Sequence, residues 1–471
     1  MPIKFGTGGW RAIIGDEFTK ANIQLFAKAI CDKIKAEGLA GQKMVIGYDR
    51  RFLAKEAMQW AAMVFAAEGI VTELINKSSP TPLIMFYVMK HELPYGMMIT
   101  ASHNPALYNG IKLFTAGGRD ADEVQTAEVE CYIDAASKAP IKEMEYDRAI
   151  SQGLIKEIYP LNEYLDNIIA AVDMDKIRDA GLKVAFDPMY GVSQTSLTTI
   201  LHTARCEVVT INDRHDTLFG GKLPSPTAAT LRALQNAVVD FKCDIGLATD
   251  GDADRIGVID DTGRFLHPND ILVLLYYYLV KYKGWNGPVV RNIATTHQLD
   301  RVAESFNQKC FEVPVGFKHI SSALTKEDAV LGGESSGGLT VRGHIKGKDG
   351  VYAAMLLVEM IAVTGKKISQ VYKEIEGIYG SIFMEERDYK FSNEKKAEIL
   401  DILMTKREIP KLSFEIDHVS HLDGSKVYFK EGGWVVARFS GTEPLIRIFC
   451  EMSNSEDARE VCRAYEEYLD L

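Results

Sequence analysis

No stretch of this chain is apolar enough for long enough to cross a bilayer, and its start, MPIKFGTGGWR, carries no apolar leader. Cysteine is sparse: Cys31, Cys131, Cys206, Cys243, Cys310, Cys450 and Cys462 are odd in number, scattered, and form no C-x-x-C. That argues against a disulfide scaffold or a zinc knuckle and suits a reduced, cytoplasmic setting. A basic excess is also missing, with 54 Lys and Arg against 65 Asp and Glu, a net charge of −11. Nucleic acids and anionic membranes call for a basic face, so neither is expected as a partner, although a local basic pocket could still take a small anion. Low-complexity tracts and short tandem repeats are absent.

What is present is core-forming material. Hydrophobic residues make up 46% and charged residues 25% of 471 positions, the composition of a globular protein of roughly three to four domains. Strand and helix signals alternate. KMVIGYD, the glycine-stopped helix LAKEAMQWAAMVFAAEG, IVTELI, YGMMIT and GIKLF form a first unit, with a helix near 122–136. The pattern restarts at LKVAFD, runs through CEVVTIN and a helix near 228–241 to DIGLAT, and restarts again with a helix at 270–281, PVVRNI and CFEVPV. Such alternation predicts parallel sheets covered by helices. From FMEERDYK onward, SFEIDHV, KVYFK, WVVARFS and LIRIFCEM with a final helix predict a smaller antiparallel α+β domain. Candidate linkers are 139–155, 260–270 and 377–381.

Four loops carry chemistry. TASHNP (Thr100–Pro105) follows the apolar run Met97–Ile99 and sets Ser102 beside His103. It reads either as a nucleophile with a proton carrier or as an ordinary polar turn. DGDADR (Asp250–Arg255) places three carboxylates two residues apart, which repel one another unless a hard cation sits among them. An EF-hand does not fit, because Arg255 stands where glycine is required, Asp261 replaces the bidentate glutamate, and strands flank the loop. GGESSGG (Gly332–Gly338) lets a ligand approach the backbone, with Glu334 and Ser336 able to hold paired hydroxyls, or is a flexible turn. RFSGTEPLIRI (Arg438–Ile448) offers a phosphate nest at Ser440, Gly441 and Thr442 with Arg438 and Arg447 beside it, or a plain strand connection. Together these are parts for moving a phosphoryl group on a sugar phosphate.

TASHNP, DGDADR, GGESSGG and RFSGTEP, in this order, closely resemble the α-D-phosphohexomutases, the phosphoglucomutase/phosphomannomutase superfamily. The resemblance spans essentially the whole chain. It implies an α/β fold: three similar α/β/α domains with mixed or parallel sheets (1–150, 151–258, 259–378) and a TATA-box-binding-protein-like α+β domain (379–471) around a central cleft. It implies that Ser102 carries a phosphoryl group, and that Asp250, Asp252 and Asp254 hold Mg²⁺ with an oxygen of phosphorylated Ser102. Glu334 and Ser336 would grip sugar hydroxyls, with Lys318 of VGFKH a further substrate contact. Arg438, Ser440, Gly441, Thr442 and Arg447 would hold the phosphate that is not transferred. Arg11 of FGTGGWR matches an arginine reaching into the cleft, and His103 and Lys112 match positions near the reacting hydroxyl. HIKGKDG looks like the stretch of glucose-type mutases and nominates Lys348 for proton transfer.

The implied reaction interconverts hexose 1- and 6-phosphates through a hexose 1,6-bisphosphate that turns around between two phosphoryl transfers. HIKGKDG and the Glu334-x-Ser336 grip favour glucose, and mannose and glucosamine stay as alternatives because Ser335 and Gly337-Gly338 depart from the third-loop pattern of many dual-specificity members. A depressed pKa would let Lys112 or Lys348 act as base, and His103 could do so near neutral pH. A Mg²⁺-dependent sugar phosphatase and a non-catalytic sugar-phosphate sensor are the rivals. A monomer or homodimer is expected.

Overall fold

In the computed structural model, residues 3–6, 9–439 and 445–471 are described. Ser440, Gly441 and Thr442, expected to hold a phosphate, lie outside the described residues. The first elements are β1 (Trp10–Ile13), α1 (Lys20–Ala36), β2 (Met44–Tyr48), α2 (Ala54–Ala67), β3 (Thr72–Ile75), α3 (Thr81–Lys90), β4 (Tyr95–Ile99), β5 (Tyr108–Thr115), β6 (Arg119–Asp120), α4 (Glu123–Ala136), α5 (Tyr146–Ser151) and β7 (Ile155–Ile158). Their sheet has the order β1-β5-β4-β2-β3-β7, with β6 on β5. Strands β2 and β4 are short apolar runs buried on both faces, as interior parallel strands require. Helix α1 starts where the Thr19 side chain accepts the Asn22 amide, and α4 starts with a reciprocal box between Asp122 and Gln125. The sheet continues past residue 150, since β7 pairs in parallel with β3.

Next come α6 (Leu161–Ala171), α7 (Met174–Ala180), β8 (Lys183–Asp187), α8 (Ser193–Thr203), β9 (Glu207–Thr210), α9 (Arg232–Phe241), β10 (Ile245–Thr249), β11 (Ile256–Ile259), β12 (Phe265–Leu266) and α10 (Pro268–Lys281). The second sheet runs β12-β11-β10-β8-β9. Then β13 (Val289–Asn292), α11 (Gln298–Ser305), β14 (Cys310–Val313), α12 (Phe317–Lys326) and β15 (Leu331–Gly333) follow, with β14 and β15 both parallel to β13. After β16 (Leu339–Val341), α13 (Gly350–Thr364) and α14 (Ile368–Tyr379) come β17 (Phe383–Lys390), α15 (Asn393–Leu400), β18 (Ile416–Ser420), β19 (Ser425–Phe429), β20 (Trp434–Phe439), β21 (Leu445–Met452) and α16 (Ser455–Leu469). These last strands make an antiparallel sheet, β17-β21-β20-β19-β18, and α16 covers β17 and β21.

The expected architecture of α/β domains with a C-terminal sheet-plus-helix domain is borne out. The first two sheets are mixed, as the resemblance allows and strand–helix alternation alone does not predict: β5 runs antiparallel to β4, and β11 antiparallel to β10. The reason is loop length. Residues 100–107 and 250–255 are too few for the crossover a parallel neighbour needs, so each loop can only turn the chain back. Both chemistry-bearing loops therefore sit at the carboxyl end of a fully buried strand, where the backbone is held rigidly.

The chain divides into two compact units, Met1–Ile271 with Ser336–Ser369, and Leu272–Ser335 with Gln370–Leu471. Helix α13 explains the first grouping. It is apolar apart from the buried Glu359, which accepts the Asp173 amide (2.7 Å); it is buried from Gly350 to Ile361 and packs on α7, α8, β10 and β11. Among the described residues no helix is long and apolar enough to cross a membrane.

Candidate active site

The Ser102 loop is built from behind. Asp49, at the end of β2, accepts the Thr100 hydroxyl proton (2.6 Å), and Thr100 Oγ1 accepts the Ser102 amide (2.9 Å). The buried Arg51 guanidinium donates to four carbonyls of the same loop: Ser102 (2.6 Å), Asn104 (2.7 Å), Pro105 (2.9 Å) and Tyr108 (2.9 Å). Held this way, Ser102 takes a left-handed conformation (φ 50°) that a non-glycine residue adopts only under constraint. Ser102 is 1% exposed, and its hydroxyl donates to Asp250 Oδ2 at 2.8 Å. The two loops meet because residue 251 is glycine: a Cβ there would lie 2.8 Å from the Ser102 carbonyl oxygen.

The three aspartates of the second loop are buried and their oxygens converge within 4.8 Å, the one such group of metal-ligand type among the described residues. Asp250 Oδ1 accepts the amides of Asp254 (3.0 Å) and Arg255 (3.1 Å), which coils the loop. Thr81, at the start of α3, pins Asp252 by its amide to the Asp252 carbonyl (2.9 Å) and by its hydroxyl to Oδ2 (2.6 Å). Asp252 Oδ1 and Asp254 Oδ1 are buried and accept no hydrogen bond. Two orphaned carboxylate oxygens beside a third carboxylate form an incomplete hard-oxygen donor set, which fits Mg²⁺. Burial, then Asp252 and Asp254, push the Asp250 carboxyl well above its ordinary pKa. A divalent cation would remove that penalty. Asp252→Asn is accordingly expected to raise the Mg²⁺ concentration for half-maximal activity at least about tenfold. A Mg²⁺ titration of turnover checks this, and an unchanged midpoint contradicts the metal cage.

The cations around the cluster behave differently from the sequence expectation. Lys112, on β5, donates to Asp252 Oδ2 and Asp254 Oδ2, both at 2.7 Å. Burial opposes its charge, yet the two carboxylates outweigh burial and raise its pKa, the reverse of the depression a general base needs. Lys112 is thus a fixed cation bracing the metal loop. His103 Nδ1 lies 3.4 Å from Ser102 Oγ. Arg255 foremost, then burial and Arg11, hold the imidazole far below its ordinary pKa, so His103 is neutral and does not titrate near pH 7. Lys348 Nζ lies 3.2 Å from Asp254 Oδ2, and Arg11 donates to the Asn104 side chain at 2.8 Å. Asp349, the residue after Lys348, caps α13 through the amides of Val351 and Tyr352 and also binds Tyr164 and His344.

Ser102, His103, Lys112, Arg11, Lys348 and the three aspartates all belong to the first unit, as does the exposed Ser336. Glu334, Lys318, Arg438 and Arg447 belong to the second. There the buried Glu334 accepts from Asn292 Nδ2 (3.3 Å) and the Gly316 amide (3.1 Å). Lys318 lies in the first turn of α12. Arg438 and Arg447 stand directly opposite one another on β20 and β21. Facing like charges are unfavourable unless anions meet them. Asp423 does so for Arg438 (2.8 Å), and Asp388 lies 3.5 Å from Arg447.

Sequence reasoning missed Asp49, Arg51, Thr81, Asn292, Asp349 and Asp423. None sits inside a motif that speaks for itself, except that Asp349 is the residue after Lys348 in HIKGKDG.

Profiles of the phosphoglucomutase/phosphomannomutase alpha/beta/alpha domains I, II and III match residues 2–140, 162–263 and 267–379, and the C-terminal domain profile matches 386–467. A Thermococcus kodakarensis protein named phosphoglucomutase/phosphomannomutase is 31% identical, over 99% of this chain and 97% of the relative. A Methanopyrus kandleri protein bearing the provisional name phosphoglucosamine mutase is 29% identical, over 99% and 97%. A Thermus thermophilus crystal structure bearing the provisional name phosphomannomutase superposes with TM-score 0.86 at 28% identity, covering 100% of both chains.

Proposed function

Because the chain belongs to the phosphoglucomutase/phosphomannomutase family and is a phosphohexomutase, we propose that it interconverts glucose 1-phosphate and glucose 6-phosphate through phosphorylated Ser102. The observation that carries this reading is the Ser102 hydroxyl donating at 2.8 Å into the aspartate cluster. Phosphorylated Ser102 gives its phosphoryl group to the free sugar hydroxyl: the bond from phosphorus to Ser102 Oγ breaks, the bond to the sugar oxygen forms, and the hydroxyl proton leaves to a base. Lys348 is the first candidate for that base, because Lys112 is engaged by two carboxylates and Arg255, burial and Arg11 hold His103 far below its ordinary pKa. Asp250, Asp252, Asp254 and an oxygen of phosphorylated Ser102 would hold Mg²⁺, which supplies neutralisation of the charge that builds on the transferring group. Arg438, Arg447, Ser440, Gly441 and Thr442 would retain the other phosphate, and Glu334, Ser336 and Lys318 the sugar. After the bisphosphate turns around, its second phosphoryl group returns to Ser102. The four-part division at 150, 258 and 378, with one chemistry-bearing loop in each part, is proposed alongside.

The preference for glucose rests on HIKGKDG and on the Glu334-x-Ser336 spacing. A relative named phosphoglucosamine mutase makes the amino sugar the second reading. Assays on glucose, mannose and glucosamine 1-phosphates with Mg²⁺ and glucose 1,6-bisphosphate separate the two. Glucose 1-phosphate is expected to lead in kcat/KM by at least about tenfold, the scale one well-placed polar contact supplies. A lead for glucosamine 1-phosphate transfers the assignment to the amino sugar. Stoichiometric release of inorganic phosphate, indifferent to the bisphosphate, would make the protein a phosphatase instead.

A further inference from the structure

Two consecutive amides in the second unit donate to two different carboxylates. The Val315 N–H donates to Asp423 Oδ2 at 2.9 Å, and the Gly316 N–H donates to Glu334 Oε1 at 3.1 Å. The same Asp423 oxygen accepts Arg438 Nε at 2.8 Å, and the same Glu334 oxygen accepts Asn292 Nδ2 at 3.3 Å. An unbroken path of hydrogen bonds therefore runs from Arg438, through Asp423 and the Val315–Gly316 backbone, to Glu334.

The fold builds this path with care for spacing. Asp423 lies in the turn between β18 and β19, and that turn lies flush on β20: a Cβ at Gly424 (φ 102°) would come within 2.6 Å of the Ala437 carbonyl oxygen. The Asp423 side chain is 26% exposed and that of Arg438 18%. So open an ion pair contributes little to stability. Its consequence is geometric. Arg447 stands directly across from Arg438, so without Asp423 the Arg438 guanidinium is pushed away from its like-charged neighbour.

We propose that Asp423 is a positioning residue, which aims Arg438 and sets the separation between the phosphate anchor and the sugar-gripping Glu334. The proposal rests on the reading above that Arg438 and Glu334 contact substrate. A hexose phosphate must satisfy both ends at once, and a misplacement of about 1 Å at either end is enough to be costly.

The test is steady-state kinetics of the full chain on glucose 1-phosphate with Mg²⁺ and glucose 1,6-bisphosphate. Asp423→Ala is expected to raise KM about tenfold with kcat changed less than about twofold, the signature of lost binding and not of lost chemistry. Asp423→Asn keeps an acceptor oxygen for both donors and should stay within about threefold of the parent KM. Combined with Glu334→Gln, Asp423→Ala should cost at least about fivefold less than the product of the single effects, because the two act through one separation. A KM unmoved by Asp423→Ala, when Arg438→Ala does raise KM, overturns this inference and leaves the proposed function standing. An additive pair overturns it too. A KM unmoved by Arg438→Ala itself sinks the phosphate-anchor reading, and this inference with it. Should Asp423→Ala fail to fold, Asp423→Ser, which withdraws the acceptor from Arg438, is read by the same criteria.

Discussion

Ser102→Ala is expected to lower isomerisation of glucose 1-phosphate by at least about 10⁴-fold, with no rescue by added glucose 1,6-bisphosphate. Alanine fills nearly the same volume and meets the same left-handed backbone at position 102. The four Arg51 hydrogen bonds and the Thr100 contact all reach the main chain of the loop, so they survive. What disappears is one hydroxyl, and with it the donor to Asp250. The melting curve should stay within a few degrees of the parent, since the lost hydrogen bond is worth about 1–3 kcal/mol. Incubation with ³²P-labelled glucose 1,6-bisphosphate gives the second readout: the parent retains label on protein and the alanine variant does not. Substantial surviving turnover removes Ser102 from the reaction.

Arg51→Met has the largest expected effect on stability. The Arg51 side chain is 0% exposed, as is that of Asp49, and its Nε lies 3.3 Å from Asp49 Oδ2. Removing the guanidinium strands a buried carboxylate and four carbonyl oxygens, and breaking such a pair costs about 3–5 kcal/mol. A melt lowered by about 10 °C is the corresponding shift. Arg51→Lys should recover only part, because an ammonium lacks the planar fork that reaches four acceptors.

The pH dependence of this loss has a defined sign. Burial, opposed by Arg51, pushes the Asp49 carboxyl up to about 6, against about 4 in an unfolded chain. Between those values the folded state binds more protons than the unfolded state, so this group makes stability fall as pH rises. Without Arg51 the opposing charge is gone and the window extends above pH 6. The Arg51→Met deficit is therefore expected to be smaller at pH 5 than at pH 7. The double variant Asp49→Asn/Arg51→Met should recover part of it at pH 7. Urea melts at pH 5 and 7 decide the matter, and a deficit independent of pH contradicts the stranded carboxylate.

Strands such as β2, β4 and β10, helices such as α2, and the four loops were legible along the chain because each is set by short-range rules, whereas α1, α3 and the α5 helix inside the expected linker 139–155 were not read. Met97–Ile99 and Ile245–Thr249 are apolar runs with no exposed face, and a loop that follows such a strand is anchored at its base. The spacing of Asp250, Asp252 and Asp254 announces cation chemistry in six letters, since carboxylates that close repel. Resemblance then supplied the family, which the matches along the whole chain uphold. Local rules could not reach the rest. The direction of the Lys112 shift depends on two aspartates 140 and 142 positions away, and that of His103 on Arg255. A lysine reads the same in sequence whether its neighbours turn out to be cations or anions.

What the sequence alone determined about this protein is the inventory: which side chains are offered, on loops after which strands, for which class of chemistry. Tertiary structure decided the pairings, bringing Ser102 within 2.8 Å of Asp250 across 148 positions and setting Arg51 behind the loop. It also decided that residues 336–369 fold with the first unit, because the largely apolar α13 buries itself there. Propensity and spacing act over a few residues, whereas a charge, a close approach or a buried face responds to whatever the fold brings beside it.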